Sequence, residues 1–559
     1  MKKLLPLFIA LFFIVFLAYP LGSLLAGAFV IKGEFSLRYF YLVFDNPFYS
    51  RCFANSTLIA VWSTLLALAI SLPLAWLFNR CEFPAKTLLN SLLLLPLILP
   101  PFVGAIGLRQ FFTRYGTLNL LLEKSGLVDL ANPPDWLASG GFYGIIVLQA
   151  LHLYPILFLS VQAAMANLDP ALREAAANLG ARGWRIFRTV TLPLALPGIF
   201  SGTTIVFIAA FTDLGVPLMF GFQSTVPSQI FNMVVQPDNP MGYALVVLTL
   251  LLVSLLFLLG KKLGSGNYAM TMRSGSQALT AKLGKLPALM ATAAVLLLIA
   301  ISVIPHIGVV LQSVSARWFM TALPTEWSGQ FYREVFNLDA TTLSVKNSLF
   351  YSICSMSLDL VLGLAIAYLL TREKFRGKAL LDTVSMLPLA LPGLVLAFAY
   401  YVTFSRHGSW LAFLDPRENP VFLLVIAYAM HRLPYIVRAA YAGFQQVSVS
   451  LEEASTNLGA RPLRTFCKIS LPLIAANLVA GSILTFSFAM LDVSNSLILA
   501  QEDRSYPITK AIYSLMGRIT PTAPNVACAL GVLALLLLAL SLYLASKLMG
   551  QKMGQLFKS

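Results

Sequence analysis

Long apolar runs alternate with short polar segments along this chain. The runs fall at 4–30, 55–79, 88–112, 142–165, 194–222, 241–260, 288–313, 346–370, 380–404, 420–444, 473–500 and 523–547. Each is about 20 residues or longer, the length that carries an α-helix across a hydrocarbon core of ~30 Å. The runs are continuous rather than alternating at period two, so they predict helices and exclude a barrel of short strands. The reading is an all-α polytopic membrane protein with twelve transmembrane helices. Prolines inside the runs (Pro96, Pro100, Pro388, Pro392) are compatible with this, because neighbouring helices can satisfy freed backbone groups. They serve either as helix breaks of the kind gates use or as tolerated kinks.

Composition agrees with the pattern. The chain has 559 residues, 58% of them hydrophobic and 11% charged, with a mean hydropathy of +0.80. An average soluble domain is about 25% charged. A soluble enzyme, a disordered chain and a disulfide scaffold are excluded. The formal net charge of +16 reads as basic loops beside a membrane rather than as a nucleic-acid surface, and no nucleic-acid partner is expected. Lys and Arg are denser in the connecting segments that share a side with the N-terminus, which predicts cytoplasmic N- and C-termini. Lys2-Lys3, an apolar run and Ala26-Gly27-Ala28 imitate a secretory signal. The run is longer than a signal's apolar region, so an uncleaved first span is expected. Five scattered cysteines, never in CxxC spacing, form neither a disulfide framework nor a metal knuckle.

The chain repeats itself. Residues 168–193 read LDPALREAAANLGARGWRIFRTVTLP and residues 447–472 read VSVSLEEASTNLGARPLRTFCKISLP. At a constant offset of 279, Glu174 matches Glu453, Ala175 matches Ala454, and Asn178-Leu179-Gly180-Ala181-Arg182 matches Asn457-Leu458-Gly459-Ala460-Arg461. The same offset relates His152 to His431 and Asp213 to Asp492. Upstream the offset becomes 292, relating Asn55-Ser56 to Asn347-Ser348 and Pro96 and Pro100 to Pro388 and Pro392. Six spans separate matching points, so the repeats are parallel rather than inverted. The expected organisation is a first six-helix half over 1–260, a basic cytoplasmic linker over 261–287, and a second six-helix half over 288–559.

Each repeated segment reads as two short helices with a glycine break. Asp169 suits an N-cap, Pro170 the first helical position, and Gly180 the left-handed residue that ends the turn. In the second copy Ser450 and Glu453 have capping-box spacing. Leu192-Pro193 and Leu471-Pro472 are expected to end the surface segment and enter the next span. Such a helix–glycine–helix knob can seat in a groove of another protein. From spacing alone it can equally be an amphipathic connector copied by duplication.

Glu174-Ala175-Ala176 with Gly180 and Leu192-Pro193, and Glu453-Ala454-Ser455 with Gly459 and Leu471-Pro472, resemble the EAA loop of permeases in binding-protein-dependent ABC importers. The second copy carries Ser455 where the family has Ala, a small-for-small change. The resemblance covers both halves. It implies the type I ABC importer permease fold in a bacterial inner membrane. It also implies that Glu174, Ala175, Gly180, Glu453, Ala454 and Gly459 lie at contacts with two cytoplasmic ATPase subunits, and that an external binding protein delivers substrate. FTDLGVPLMFG at 211–221 and LDVSNSLIL at 491–499, followed by TVPSQIF and SYPITKAIY, resemble the ferric-iron permeases in particular. Fused permeases for thiamine, phosphonates and sugar phosphates share the plan. A twelve-span secondary transporter would leave the paired EAA loops unexplained.

The chain lacks GxxxxGK[ST]: Gly377-Lys378 is followed by Ala379, with Arg372 where the first glycine belongs. It also lacks HExxH and GxSxG, and its four histidines are dispersed. The expectation is a transport subunit that binds no cofactor itself, with ATP and Mg on the partner ATPase and no assignable metal site.

Three acids fall inside the expected spans: Asp213, Asp359 and Asp492. A charge in hydrocarbon usually faces a cavity or a partner. Asp213 and Asp492 either line the translocation path, meeting a cationic substrate, or cap helix breaks before Gly215-Val216-Pro217 and Ser494-Asn495. Asp359 has no duplicate, since its counterpart is Ala67, and a local polar partner is expected for it. His152 and His431, with Arg432 and Arg438 nearby, either line the path or pair internally.

Overall fold

The computed structural model describes residues 4–31, 33–98, 100–137, 140–236, 239–264, 281–405 and 414–549. Most of the expected linker, 265–280, lies outside the described residues, as does His407. Among the described residues ten helices are long and apolar enough to cross a bilayer. Two further helix pairs, each bent at a break, bring the number to twelve when each pair is one span. In chain order the continuous spans are Leu5–Phe29, Pro47–Arg80, Phe142–Ala166, Trp184–Thr212 and Pro240–Gly260, then Lys285–Ser313, Asp339–Arg372, Val421–Gln446, Pro462–Met490 and Ala523–Ser541. The third span is broken (Lys86–Leu97 and Pro101–Lys124, 92°), and so is the ninth (Lys378–Ala390 and Gly393–Phe404, 99°).

Proline chemistry locates these bends. Proline disfavours helical backbone at the residue before it and has no N–H for the ladder. Leu391 (ψ 126°) and Pro392 (ψ 135°) are accordingly extended, and the second helix restarts at Gly393. Pro100 (ψ 120°) plays the same part before Pro101–Phe112. Pro96 and Pro388 instead sit inside helices. Of each sequence pair, then, only the second proline makes the break.

Several expected boundaries move. The second and eighth spans are 34 residues each, about 50 Å at 1.5 Å per residue. They therefore extend well past the hydrocarbon, and Arg80 and Arg372 end them. The fifth and eleventh spans stop at Thr212 and Met490 rather than running on to 222 and 500. Short helices Gly215–Phe220 and Ser494–Leu499 follow as separate elements. The Leu-Pro pairs do not end the surface segments. Helix continues through them from Trp184 and from Pro462. A π turn (Phe187–Thr191, Phe466–Ser470) immediately precedes each Leu-Pro pair. The wider turn absorbs the hydrogen bond that proline cannot donate.

The chain forms two compact units: Met1–Asp45 with Ile230–Leu250 and Tyr332–Ser559, and Asn46–Gln229 with Leu251–Phe331. Sequence repeat and compact unit are thus different divisions of the chain, because each unit contains the first span of the opposite repeat. In one unit Tyr400 Oη donates to the Phe16 carbonyl at 2.6 Å, tying the ninth span to the first. In the other the third and seventh spans meet backbone to backbone. A Cβ on Gly107 would lie 1.8 Å from the Pro305 carbonyl, and one on Gly308 would lie 2.7 Å from Gly107 Cα. Lipid offers apolar side chains no reason to leave it, so such close small-residue packing and interhelical hydrogen bonds hold membrane helices together. The second and fourth spans show the bonds. Ser63 Oγ donates to Gln149 Oε1 at 3.2 Å and Ser71 Oγ to the Tyr154 carbonyl at 2.8 Å. Asn79 Nδ2 donates to the Gln162 carbonyl at 3.3 Å.

Candidate functional site

The two repeated segments are built alike. In the first, Asp169 caps the helix Pro170–Asn178, its Oδ1 accepting from Ala171 N at 2.9 Å. Gly180 then turns the chain at φ +83°. Its N–H donates to the Ala177 carbonyl, and Ala181 N–H donates to the Ala176 carbonyl. This pair of bonds is the Schellman closure. Gly459 (φ +84°) does the same, with Gly459 N bonding the Thr456 carbonyl and Ala460 N the Ser455 carbonyl. A Cβ at either glycine would meet nothing within 4 Å. Glycine is therefore required for its backbone freedom and not for space. The cap in the second copy is Ser448, not Ser450. The helix starts at Val449, and Ser448 Oγ accepts from Ser450 N at 3.3 Å. Ser448 is the residue in register with Asp169.

Glu174, Ala175, Glu453 and Ala454 are exposed. So are two apolar residues that the sequence reading passed over. Leu179 is 90% exposed and Leu458 88%, and they occupy equivalent places just before the two turning glycines.

The second segment is clamped to the spans by a buried carboxylate. Glu452 accepts from Arg372 Nε at 2.9 and 3.1 Å and from Ser470 Oγ at 2.9 Å. Arg372 also donates to the Val447 carbonyl at 3.0 Å and lies over the Phe444 ring. The pair is only 10% and 16% exposed. A charge-assisted bond in such a setting contributes about 1.5–3 kcal/mol. Glu452→Gln is expected to lower the thermal midpoint of the purified permease by several degrees. An unchanged midpoint would show that the clamp carries no stability.

Asp213 and Asp492 both occupy helix breaks. Asp213 Oδ1 accepts from Gly215 N at 3.1 Å and Oδ2 from Gln149 Nε2 at 3.1 Å. Asp492 Oδ1 accepts from Asn495 N at 2.9 Å, while Oδ2 accepts from Asn495 Nδ2 at 2.9 Å and Arg432 at 2.7 Å. Each acid thus caps the short helix after its span. The two differ in what answers the charge: a neutral amide in one repeat, a buried guanidinium in the other. Asp359 does not have the expected local partner. Its carboxylate is fully buried and accepts no hydrogen bond among the described residues. The Arg432 guanidinium is the cation that acts on it.

The two histidines touch the broken spans. His152 Nδ1 lies 2.8 Å from the Pro96 carbonyl. A Cβ on Gly393, directly after the Pro392 break, would lie 3.2 Å from His431 Cε1. His431 Nδ1 is buried without a hydrogen bond among the described residues. His152 thus touches the helical Pro96 turn of the third span, whereas His431 lies at the Pro392 break itself. Arg438 lies away from this cluster, pairing with Asp382 at 3.2 Å. Among the described residues no group of three His, Cys, Asp or Glu is placed to hold a metal.

The matched Asn-Ser pairs hold the elements after each break. Asn55 Nδ2 donates to the Ser224 carbonyl at 2.9 Å, and Ser56 Oγ caps Val226 N at 2.9 Å. Asn347 Nδ2 reaches the Arg504 and Tyr506 carbonyls, and Ser348 Oγ caps Ile508 N at 2.7 Å. On the capped helix Ile508–Met516, outside the spans, Lys510 is buried. Its Nζ donates to the Leu497 carbonyl at 2.9 Å and sits over the Phe231 and Tyr506 rings. Burial pulls its pKa down to about 8 from 10.5, against the opposing pull of Asp503. Between those values the unfolded chain holds more protons than the native one, so stability rises with pH across that window. Lys510→Met is expected to flatten this rise in melting profiles. A mutant profile that keeps the wild-type slope would refute the assignment.

Glu452, Arg372 and Gln149 were not legible as site residues. The repeat could have found them, because Glu452 aligns with Arg173 and Arg372 with Arg80. Between the copies the glutamate becomes an arginine while the span-end arginine is kept, and Gln149 stands in register with Tyr428.

Comparison with known proteins places this geometry. The ferric transport system permease protein FbpB of Actinobacillus pleuropneumoniae is 26% identical over 97% of this chain and 77% of its own length. A putative ferric transport system permease protein, FbpB 1 of Haemophilus influenzae, is 26% identical over 90% of this chain and 78% of its own. The molybdenum transport system permease protein ModB of Escherichia coli is 32% identical over 36% of this chain and 90% of its own. The family described as the binding-protein-dependent transport system inner membrane component matches residues 4–266 and 359–555, one stretch in each repeat. The chain belongs to that family and is the permease of an ABC importer, with both permease repeats fused in one polypeptide.

Proposed function

We propose that this permease carries ferric iron across the bacterial inner membrane, powered by two cytoplasmic ATPase subunits that dock on the segments 168–193 and 447–472. The observation that carries the docking assignment is the pair of identically turned knobs, each presenting one nearly fully exposed leucine, Leu179 or Leu458. Glu174, Ala175, Glu453 and Ala454 precede those leucines on the helices Pro170–Asn178 and Val449–Asn457. ATP and Mg reside on the ATPases, and hydrolysis happens there. This orientation puts both termini in the cytoplasm. An external binding protein delivers substrate to the opposite face. Nucleotide can shift the permease between inward-open and outward-open states only through a difference in how the ATPases hold the two knobs in each state.

Ferric iron is favoured because two ferric permeases align with 90% or more of the chain. The molybdenum permease aligns with little over a third. The test is ATPase stimulation in the reconstituted complex, with binding proteins loaded in turn with ferric iron, molybdate, phosphonate, sugar phosphate or thiamine. Stimulation by the ferric form alone is expected. Stimulation by another form reassigns the substrate, and failure of a well-folded permease to bind any ATPase sinks the docking assignment.

In this reading Asp213 and Asp492, with His152 and His431 against the broken spans, face the path. Asp213 is the clean test, because it makes no ion pair among the described residues and asparagine can still cap Gly215. Asp213→Asn is expected to slow transport about tenfold, equivalent to ~1.4 kcal/mol at the barrier. Wild-type transport by fully expressed D213N would remove Asp213 from the path.

A further inference from the structure

The two repeats build the same cradle where the surface segment meets the ends of the spans, but only one fills it. In the second repeat the cradle is Tyr368, Arg372, Phe444, Val447 and Ser470, and the Glu452 carboxylate occupies it. In register, the first repeat has Trp76, Arg80, Met165, Leu168 and Thr191, and these line an open pocket. The residue in the place of Glu452 is Arg173, which lines that pocket too. The supporting aromatic contact is kept: Trp76 packs on Phe187 as Tyr368 packs on Phe466. What changes is the sign of the one residue that should answer the arginine.

Two guanidiniums therefore face one pocket with no carboxylate between them. Arg80 and Arg173 make no ion pair among the described residues. Arg80 lies over the Trp76 ring at 5.7 Å. Both side chains are half-buried. Burial and then the nearby Arg80 charge hold the Arg173 pKa below its ordinary value. Like charges in a partly desolvated pocket repel, and arginine's planar fork matches oxyanions bidentately. The second repeat shows which chemistry the cradle accepts: an oxyanion bonded by the span-end arginine and by the hydroxyl at the position of Thr191.

We propose that the first-repeat cradle between Arg80 and Arg173 binds an exogenous oxyanion, a phosphate group that takes the place the Glu452 carboxylate fills in the second repeat. The source is either free phosphate or the headgroup of an anionic phospholipid, since Arg80 ends a span at the membrane surface. Occupancy braces the helix Pro170–Asn178 as Glu452 braces Val449–Asn457. The first surface segment is thereby responsive to its surroundings while the second is self-contained. This goes beyond the transport reading and is tested on the permease alone.

The full-length permease is placed in nanodiscs of phosphatidylcholine, and its melting is followed with inorganic phosphate against chloride at equal ionic strength. A second set of discs contains phosphatidylglycerol without added phosphate. Wild type is expected to melt higher in at least one of these conditions, because a ligand bound only by the folded state raises its stability. A rise with phosphate in phosphatidylcholine names the free anion. A rise only with phosphatidylglycerol names the lipid headgroup. Arg173→Glu supplies the missing carboxylate internally. It is expected to melt without anion where wild type melts with it, and to lose the response. Arg173→Gln is expected to lose the response without that gain, which separates loss of the site from general misfolding. Equal responses in wild type and both variants, or no response in wild type, would overturn the proposal.

Discussion

Valine at both Gly180 and Gly459 is expected to uncouple this importer while leaving the permease folded. The two glycines sit at φ +83° and +84°, where a residue with a side chain costs roughly 1–2 kcal/mol and a β-branched one more. No atom lies within 4 Å of a Cβ at either position, so the cost is confined to the turn. Each turn should lose its Schellman closure and release its leucine, Leu179 or Leu458, from its fixed place. At about tenfold per 1.4 kcal/mol, one substitution should weaken ATPase association about tenfold. The pair should reduce transport to near background. Membrane yield and melting of the isolated permease should stay close to wild type. A double variant that transports normally would show that the turns are connectors and not couplers.

The second large effect belongs to Arg432. Its guanidinium donates to Asp492 at 2.7 Å and to the Phe488 carbonyl at 2.6 Å, and it lies over the Tyr428 ring. Arg432 and Asp492 are 7% and 5% exposed. Removing one partner of such a pair strands a buried charge at a cost of about 3–5 kcal/mol. It also takes the neighbouring cation from Asp359. Arg432→Leu is therefore expected to lose most of the folded permease. The first repeat supplies the rescue. There Leu153, Gln149 and Ala67 stand in register with Arg432, Tyr428 and Asp359, and Asp213 is answered by the Gln149 amide and Gly215 N, with no ion pair among the described residues. Combining R432L with Tyr428→Gln and Asp359→Ala should recover most of the lost yield. Normal melting of R432L alone would show that the ion pair is dispensable, and failure of the triple variant would show that the two repeats differ in more than these residues.

Much of this was legible in one dimension. Apolar runs mark spans because a bilayer demands length and hydrophobicity locally, residue by residue. Asp169, Pro170 and Gly180 announce their cap, first turn and stop because those preferences reside within a few residues of backbone. The breaks at Pro100 and Pro392 follow from proline itself, although sequence could not say which of each proline pair bends the chain. Capping-box spacing with Glu453 points to Ser450, but the cap is Ser448, the residue in register with Asp169. Leu-Pro reads as a stop, but a π turn before each pair absorbs the missing donor, an adjustment that leaves no mark in the sequence.

The sequence by itself determined which runs form spans, the duplication and the two glycine-turned knobs. All of these rest on local preference or on matching one stretch of chain with another. Only the tertiary structure decided that each compact unit takes the first span of the opposite repeat, that Glu452 closes on Arg372, and that Arg80 and Arg173 face one open pocket. Those outcomes join residues about 80 or more positions apart. They depend on which helices touch, and burial sets how strongly each charge must be answered.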